Sequence, residues 1–140
     1  MSNTTRQNIL NQLKTTLEKV TALQQVEINR TIPIDLDTTP FPCAFIYSVR
    51  ETKLSDDRSV IGYENWEWLL NIEVWLDSRN DQEILLGEIH HELASDNQIG
   101  GYAVTSDRIG SIMYVVEPDR SISAMILEYS VIYRHKNRTP

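Results

Sequence analysis

Glu64-Asn-Trp-Glu-Trp-Leu-Leu-Asn-Ile-Glu-Val-Trp-Leu-Asp77 is the stretch on which the fold turns. Trp66, Trp68, Leu70, Ile72, Val74 and Leu76 fall at every second position, the period of a β-strand, so this face has to be buried. The opposite face reads Glu67, Leu69, Asn71, Glu73 and Trp75, a mixture of charge and large apolar area that one domain has trouble burying or leaving fully wet. Trp75 and Leu69 are therefore candidates for a subunit contact.

Working outward, Asn80 and Glu83 have the spacing of a capping box, and Leu85, Leu86, Ile89 and Leu93 form the apolar stripe of a helix closing near Ser95. Asn97 to Gly110 gives the weakest signal, with Gly100-Gly101 and Gly110 implying turns. Ser111 to Glu117 reads as a strand ended by Pro118-Asp119. Ser123 to Arg134 is a longer one, with Met125, Leu127, Tyr129, Val131 and Tyr133 on one side.

On the N-terminal side, Ala44 to Val49 is a strand covered on both faces, followed by a polar segment from Arg50 through Ser59 that is long for a tight hairpin turn. Before it, Pro33 to Pro42 reads as a surface connection, because each proline biases the preceding residue away from helix. Val26, Ile28, Arg30 and Ile32 alternate as a first strand. Ile9, Leu13, Leu17 and Val20, widened by Leu10 and Leu23, mark one buried face of a helix from about Thr4 to Leu23, capped by Thr4 or Thr5.

The order is α-β-β-β-α-β-β. It predicts an α+β fold: a single, mostly antiparallel sheet of about four to five strands with two helices packed on one face. The other sheet face is left looking for cover. At 140 residues the chain fits one domain, 1–140, with 135–140 expected to be a flexible C-terminal end.

Composition narrows the function. The 41% hydrophobic content and 24% charge belong to a folding chain. No apolar run approaches the roughly 18 residues of a membrane span, and Met1 to Arg6 lacks the apolar core of a signal peptide, so a soluble protein made in the cytoplasm is expected. A net charge of −7 repels phosphate backbones, which argues against non-specific duplex binding. The basic residues Arg134, His135, Lys136 and Arg138 read as a solvated end. The single cysteine, Cys43, sits among apolar neighbours as a small buried thiol without a role.

Catalytic patterns are missing. Adjacent His90 and His91 in Glu88-Ile89-His90-His91-Glu92 point about 100° apart on a helix, unlike a zinc-binding pair spaced by four. There is no phosphate-cradling glycine loop, nucleophile elbow or cysteine pair. No enzyme activity, cofactor or metal is expected.

Several segments together resemble the tail terminator proteins of long-tailed phages, which include minor tail proteins of lambda-like phages. The helix Ile9 to Leu23 is similar to that family's opening helix, and Pro40-Phe41-Pro42-Cys43-Ala44-Phe45-Ile46-Tyr47 to its proline and short apolar strand. Trp66 to Leu76 resembles the long central strand, and Leu86-Gly87-Glu88-Ile89-His90-His91-Glu92-Leu93 the second helix. Leu127-Glu128-Tyr129-Ser130-Val131-Ile132-Tyr133-Arg134 is similar to the closing strand with its Tyr-Arg pair and nearby proline, here Pro140. The likeness spans almost the whole chain.

The resemblance implies a structural virion protein at the tail end or neck. It would form a hexameric ring that caps the tail tube protein, stops tube growth and docks the head connector, with DNA only passing through the lumen. Another neck or head-completion protein is the alternative, followed by a small ligand-binding α+β domain, which would need a pocket with convergent polar groups. The interface residues read from the sequence are Lys53, Asp56, Asp57 and Arg58 in the polar segment, with Leu69 and Trp75 on the central strand. Deleting Lys53 to Arg58 is expected to stop tail joining; normal infectivity after the deletion would refute that assignment.

Overall fold

A computed structural model describes residues 4–54 and 63–136, except for the side chains of Tyr63, His135 and Lys136. The interface expected at Asp56, Asp57 and Arg58 lies outside the described residues, as do positions 137–140 of the expected flexible end. The backbone of His135 and Lys136 continues the last strand.

The elements are α1 (Thr5–Glu18), β1 (Gln25–Ile28), β2 (Cys43–Lys53), β3 (Tyr63–Leu76), α2 (Gln82–Ala94), β4 (Thr105–Glu117), a 3-10 turn (Pro118–Arg120) and β5 (Ile122–Lys136). The order α-β-β-β-α-β-β and the α+β class are those read from the sequence. Among the described residues the sheet has five strands in the order β1-β2-β3-β5-β4. It is mixed: β1 runs parallel to β2, and the other neighbours are antiparallel.

β3 is the spine. It pairs with β2 on one side and with β5 on the other, from Tyr63↔Lys136 to Leu76↔Ser123 without a register break. Trp68, Leu70, Ile72, Val74 and Leu76 are buried as their alternation requires, beside Met125, Leu127, Tyr129, Val131 and Tyr133 of β5. Onto this face pack Ile9, Leu10, Leu13 and Leu17 of α1 and Leu85, Ile89 and Leu93 of α2, so both helices share one side.

Trp68 ties the layers together. Its ring is fully buried, meets Tyr133 edge-on at 6.0 Å and lies 4.4 Å beneath the Arg6 guanidinium of α1. The indole N–H donates to Ser48 Oγ of β2 at 2.8 Å, and Arg6 donates to the same oxygen at 3.2 Å.

Local boundaries differ from expectation for identifiable reasons. Thr4 caps α1 in a reciprocal capping box with Gln7, but the helix ends at Glu18. Val20 and Leu23 instead follow in tight turns, Val20 N–H donating to Leu17 O and Leu23 N–H to Val20 O, which keeps Val20 in the core. The cap of α2 is Asp81 and not Asn80: the Asp81 carboxylate accepts from the Glu83 and Ile84 amides, while Asn80 Oδ1 accepts from the Asp77 amide. Gly100 and Gly101 form the expected turn at φ 63° and 88°. Gly110 lies within β4 at a register shift and not in a turn.

β1 stops four residues short of the expected Ile32, because Asn29 takes a left-handed φ of 50°, a conformation asparagine tolerates better than most residues. Arg30 thereby leaves the strand and its guanidinium sits 5.7 Å over the Phe45 ring, paired with Glu27 at 2.6 Å. Asp37 further along pairs with Arg120 at 2.6 Å. The 29–42 connection thus reaches from β1 to the β4–β5 turn and covers one end of the sheet's second face, where Cys43 and Phe45 are fully buried. This corrects the expectation that the second face finds no cover within its own chain.

Replacing Trp68 with alanine removes ring, hydrogen bond and cation contact at once, and is expected to cost about 3–5 kcal/mol in urea unfolding. A cost below about 1 kcal/mol would show that the layers are held elsewhere.

Candidate functional site

β4 is the exposed edge. Its thirteen residues, roughly 40 Å of extended chain, pair only with β5 among the described strands, so one side of its backbone N–H and C=O groups faces outward. The opposite edge, β1, has only four residues.

The side chains of β4 are unusual for an edge. Ile109 (55%), Ile112 (53%), Met113 (41%), Tyr114 (39%) and Val115 (66%) are all substantially exposed. Register explains why: Ile112 and Tyr114 lie across from Ile126 and Ala124 on the second face, whereas Met113 and Val115 lie across from Met125 and Ser123 on the helix side. The helices stop short of them, although Gln82 Nε2 at the start of α2 donates to the Met113 sulfur. An edge of this length with apolar groups on both faces and no charge between Ile109 and Val116 lacks the usual protection against strand pairing.

The second face continues from this edge. Tyr47, Leu69, Asn71, Glu73, Trp75 and Ile126 are half-buried across its centre. Glu73 organises them: one carboxylate oxygen accepts from the Trp75 indole N–H at 2.6 Å and from the Tyr114 hydroxyl at 2.9 Å. Burial first, and then the hydrogen bond to Glu73, push the Tyr114 hydroxyl up to about 12. The phenol is therefore a neutral donor at pH 7 that pins β4 to β3 across β5.

Of the residues predicted from sequence, Leu69 and Trp75 do lie on this one face, half-buried. They sit six positions apart on β3, on the order of 20 Å. Lys53 is not with them: it ends β2 opposite Trp66, on the helix side, and its ammonium lies 3.2 Å from Glu64. The apolar edge of β4 is not among the interface residues expected from the sequence. Its signal was present in the unbroken run Ile112-Met113-Tyr114-Val115-Val116, which has no polar alternation.

The grooves offer little convergence. A groove of about 480 Å³ between α1 and the end of β1 is lined by Asn11, Lys14, Glu27, Arg30, Thr31 and Ile32, and its Glu27 and Arg30 neutralise each other. His91, Glu88 and Glu92 line a shallow cleft beside Lys19, and among the described residues no three metal-ligating groups converge. Cys43 is buried, and desolvation followed by the nearby Glu27 charge pushes its thiol up to about 12. It is not a thiolate at neutral pH.

No protein-family model and no curated protein matches the chain. Among solved structures, a chain in the virion of a native gene transfer agent particle is similar over 91% of this chain and 92% of that one, with a TM-score of 0.46 and 11% identity. The PVC sheath/tube terminator of an extracellular contractile injection system, in its extended state, is similar over 99% of this chain, with a TM-score of 0.49 and 15% identity. This chain spans 60% of the length of that terminator.

The buried hydroxyls and thiol set a pH dependence. Cys43, Tyr114 and Tyr129 hold protons up to about 12 in the folded chain, whereas the free groups release theirs near 9.0 and 10.0. Around and above those lower values the unfolded state binds fewer protons, so stability falls as pH rises toward about 12, and these groups add little slope below about 8. Urea midpoints from about pH 8 to about pH 11.5 are expected to drop, and Tyr114→Phe is expected to make the drop shallower. An unchanged slope in that variant would mean that Tyr114 titrates freely.

Proposed function

We propose that the chain is a structural subunit of a phage-type tail, acting as a terminator: copies close into a ring on the finished tube, stop further subunits from adding and present the surface to which the head connector docks. The observation that carries this reading is the free edge of β4, with its outward backbone groups and its apolar side chains on both faces. The sequence resemblance to tail terminators, described above, supplies the identity of the assembly.

A closed ring uses such an edge well. In a head-to-tail arrangement each subunit offers one patch and receives a different one, and closure leaves no edge over. The open centre of the second face, around Leu69, Glu73, Trp75 and Tyr114, lies beside β4 and extends the same surface. A lumen lined by a protein of net charge −7 would not hold a passing duplex. No catalytic step is part of this reading, nor is a cofactor. Another neck component would share the edge but not the effect on tube length.

Electron microscopy of tails assembled without the protein tests this directly: overlong tails without heads are expected, and tails of normal length would overturn the terminator reading. The edge is tested by Ile112→Lys with Val115→Lys. Because both side chains are exposed, folding stability should change by less than about 1 kcal/mol while ring assembly is lost. Rings formed normally by that variant would remove β4 from the interface.

A further inference from the structure

Tyr129 of β5 is 6% exposed, and its buried hydroxyl has no hydrogen-bond partner among the described residues. The side chain lines a cleft of about 140 Å³ between the last turn of α2 and the beginning of β4, together with His90, Leu93, Asn97, Ser106 and Arg108. Arg108 sits directly opposite Tyr129 in the β4–β5 register. The ion pairs among the described residues leave Arg108 without a carboxylate.

Such a hydroxyl is a cost to the fold, since a buried donor is normally satisfied. Burial pushes it up to about 12, with the Arg108 charge pulling the other way, so at neutral pH it keeps its proton and its O–H is satisfied by an acceptor. A guanidinium beside it adds a charged donor fork. We propose that this cleft binds a carboxylate, one oxygen accepting from the Tyr129 hydroxyl and the other from Arg108.

The surroundings favour a singly charged group over a phosphate dianion. Asp107 lines the same cleft, and α2 ends at Ala94 with its carbonyl end on this side, so excess negative charge is repelled. A planar anion with two oxygens fits the small volume and the two donors. Two sources carry that chemistry: a small free acid, or an acidic side chain of a second copy, in a chain with 20 Asp and Glu residues. The site itself does not depend on the ring reading; only the choice of source touches it.

The probe is sodium acetate, titrated against the full chain at constant ionic strength and read by thermal shift and by the His90 ring resonances. The wild type is expected to show saturable binding, Arg108→Gln none, and Tyr129→Phe at least about tenfold weaker binding, one lost hydrogen bond to a charged acceptor. Tyr129→Phe should melt no lower than the wild type, since it deletes the orphan hydroxyl, so its weaker binding cannot be blamed on misfolding. No saturable effect of acetate, or equal binding by Tyr129→Phe, would overturn the proposal. Sedimentation then distinguishes the sources: assembly that weakens in both variants and is competed by acetate assigns the carboxylate to a neighbouring copy, and unaltered assembly assigns it to a free acid.

Discussion

The unbroken pairing of β3 with β5 is the constraint on which the rest of the molecule depends. Over fourteen aligned positions the two strands hold the same alternation, so Trp68 to Leu76 and Met125 to Tyr133 present one continuous apolar surface. A slip of one residue would send all of them to the other side. With that face fixed, α1 and α2 have one place to bury their stripes, and Arg6 over Trp68 locks the first helix onto the second and third strands. The choice of one face by both helices determines what is left uncovered.

What is left uncovered is asymmetric. At one end of the second face the chain provides its own lid, with Arg30 over Phe45 near β1 and Asp37 paired with Arg120 in the turn between β4 and β5. Along β4 itself, before that turn, no such cover is present among the described residues, and the sheet ends in a long apolar strand. Exposed apolar area adjoining free backbone groups is what a partner surface needs, because it supplies both burial and directional hydrogen bonds. Glu73 connects the two regions, since its carboxylate holds Trp75 at the centre of the second face and Tyr114 at the edge.

Much of the fold was legible because burial follows periodicity. The inward residues Trp68 to Leu76 of β3 and Met125 to Tyr133 of β5 and the buried stripes of both helices follow from spacing, whereas the choice of Thr4 over Thr5 as the cap does not. What could not be read depends on contacts distant in sequence or on a single backbone angle. The early end of β1 comes from Asn29 adopting a left-handed conformation, and the parallel pairing of β1 with β2 from a connection that crosses the sheet. The cap moved from Asn80 to Asp81 because the asparagine was engaged by the preceding turn. The candidate surface was half legible: Leu69 and Trp75 stood out as apolar residues on the wrong face, but the exposure of Ile112 to Val115 depends on β4 being at the edge, which pairing order alone decides. Tyr129 shows the same limit, since alternation places it in the core and says nothing of its hydroxyl.

The central claim is that the outward side of β4 is covered by another copy in the assembled state. Residue-level amide hydrogen exchange, comparing the dilute free chain with the assembled particle, measures that cover directly. The account predicts that the outward amides between Thr105 and Glu117 exchange freely in the dilute chain and become strongly protected on assembly. Amides along β4 that stay unprotected in the assembled particle, while other surfaces gain protection, would contradict it.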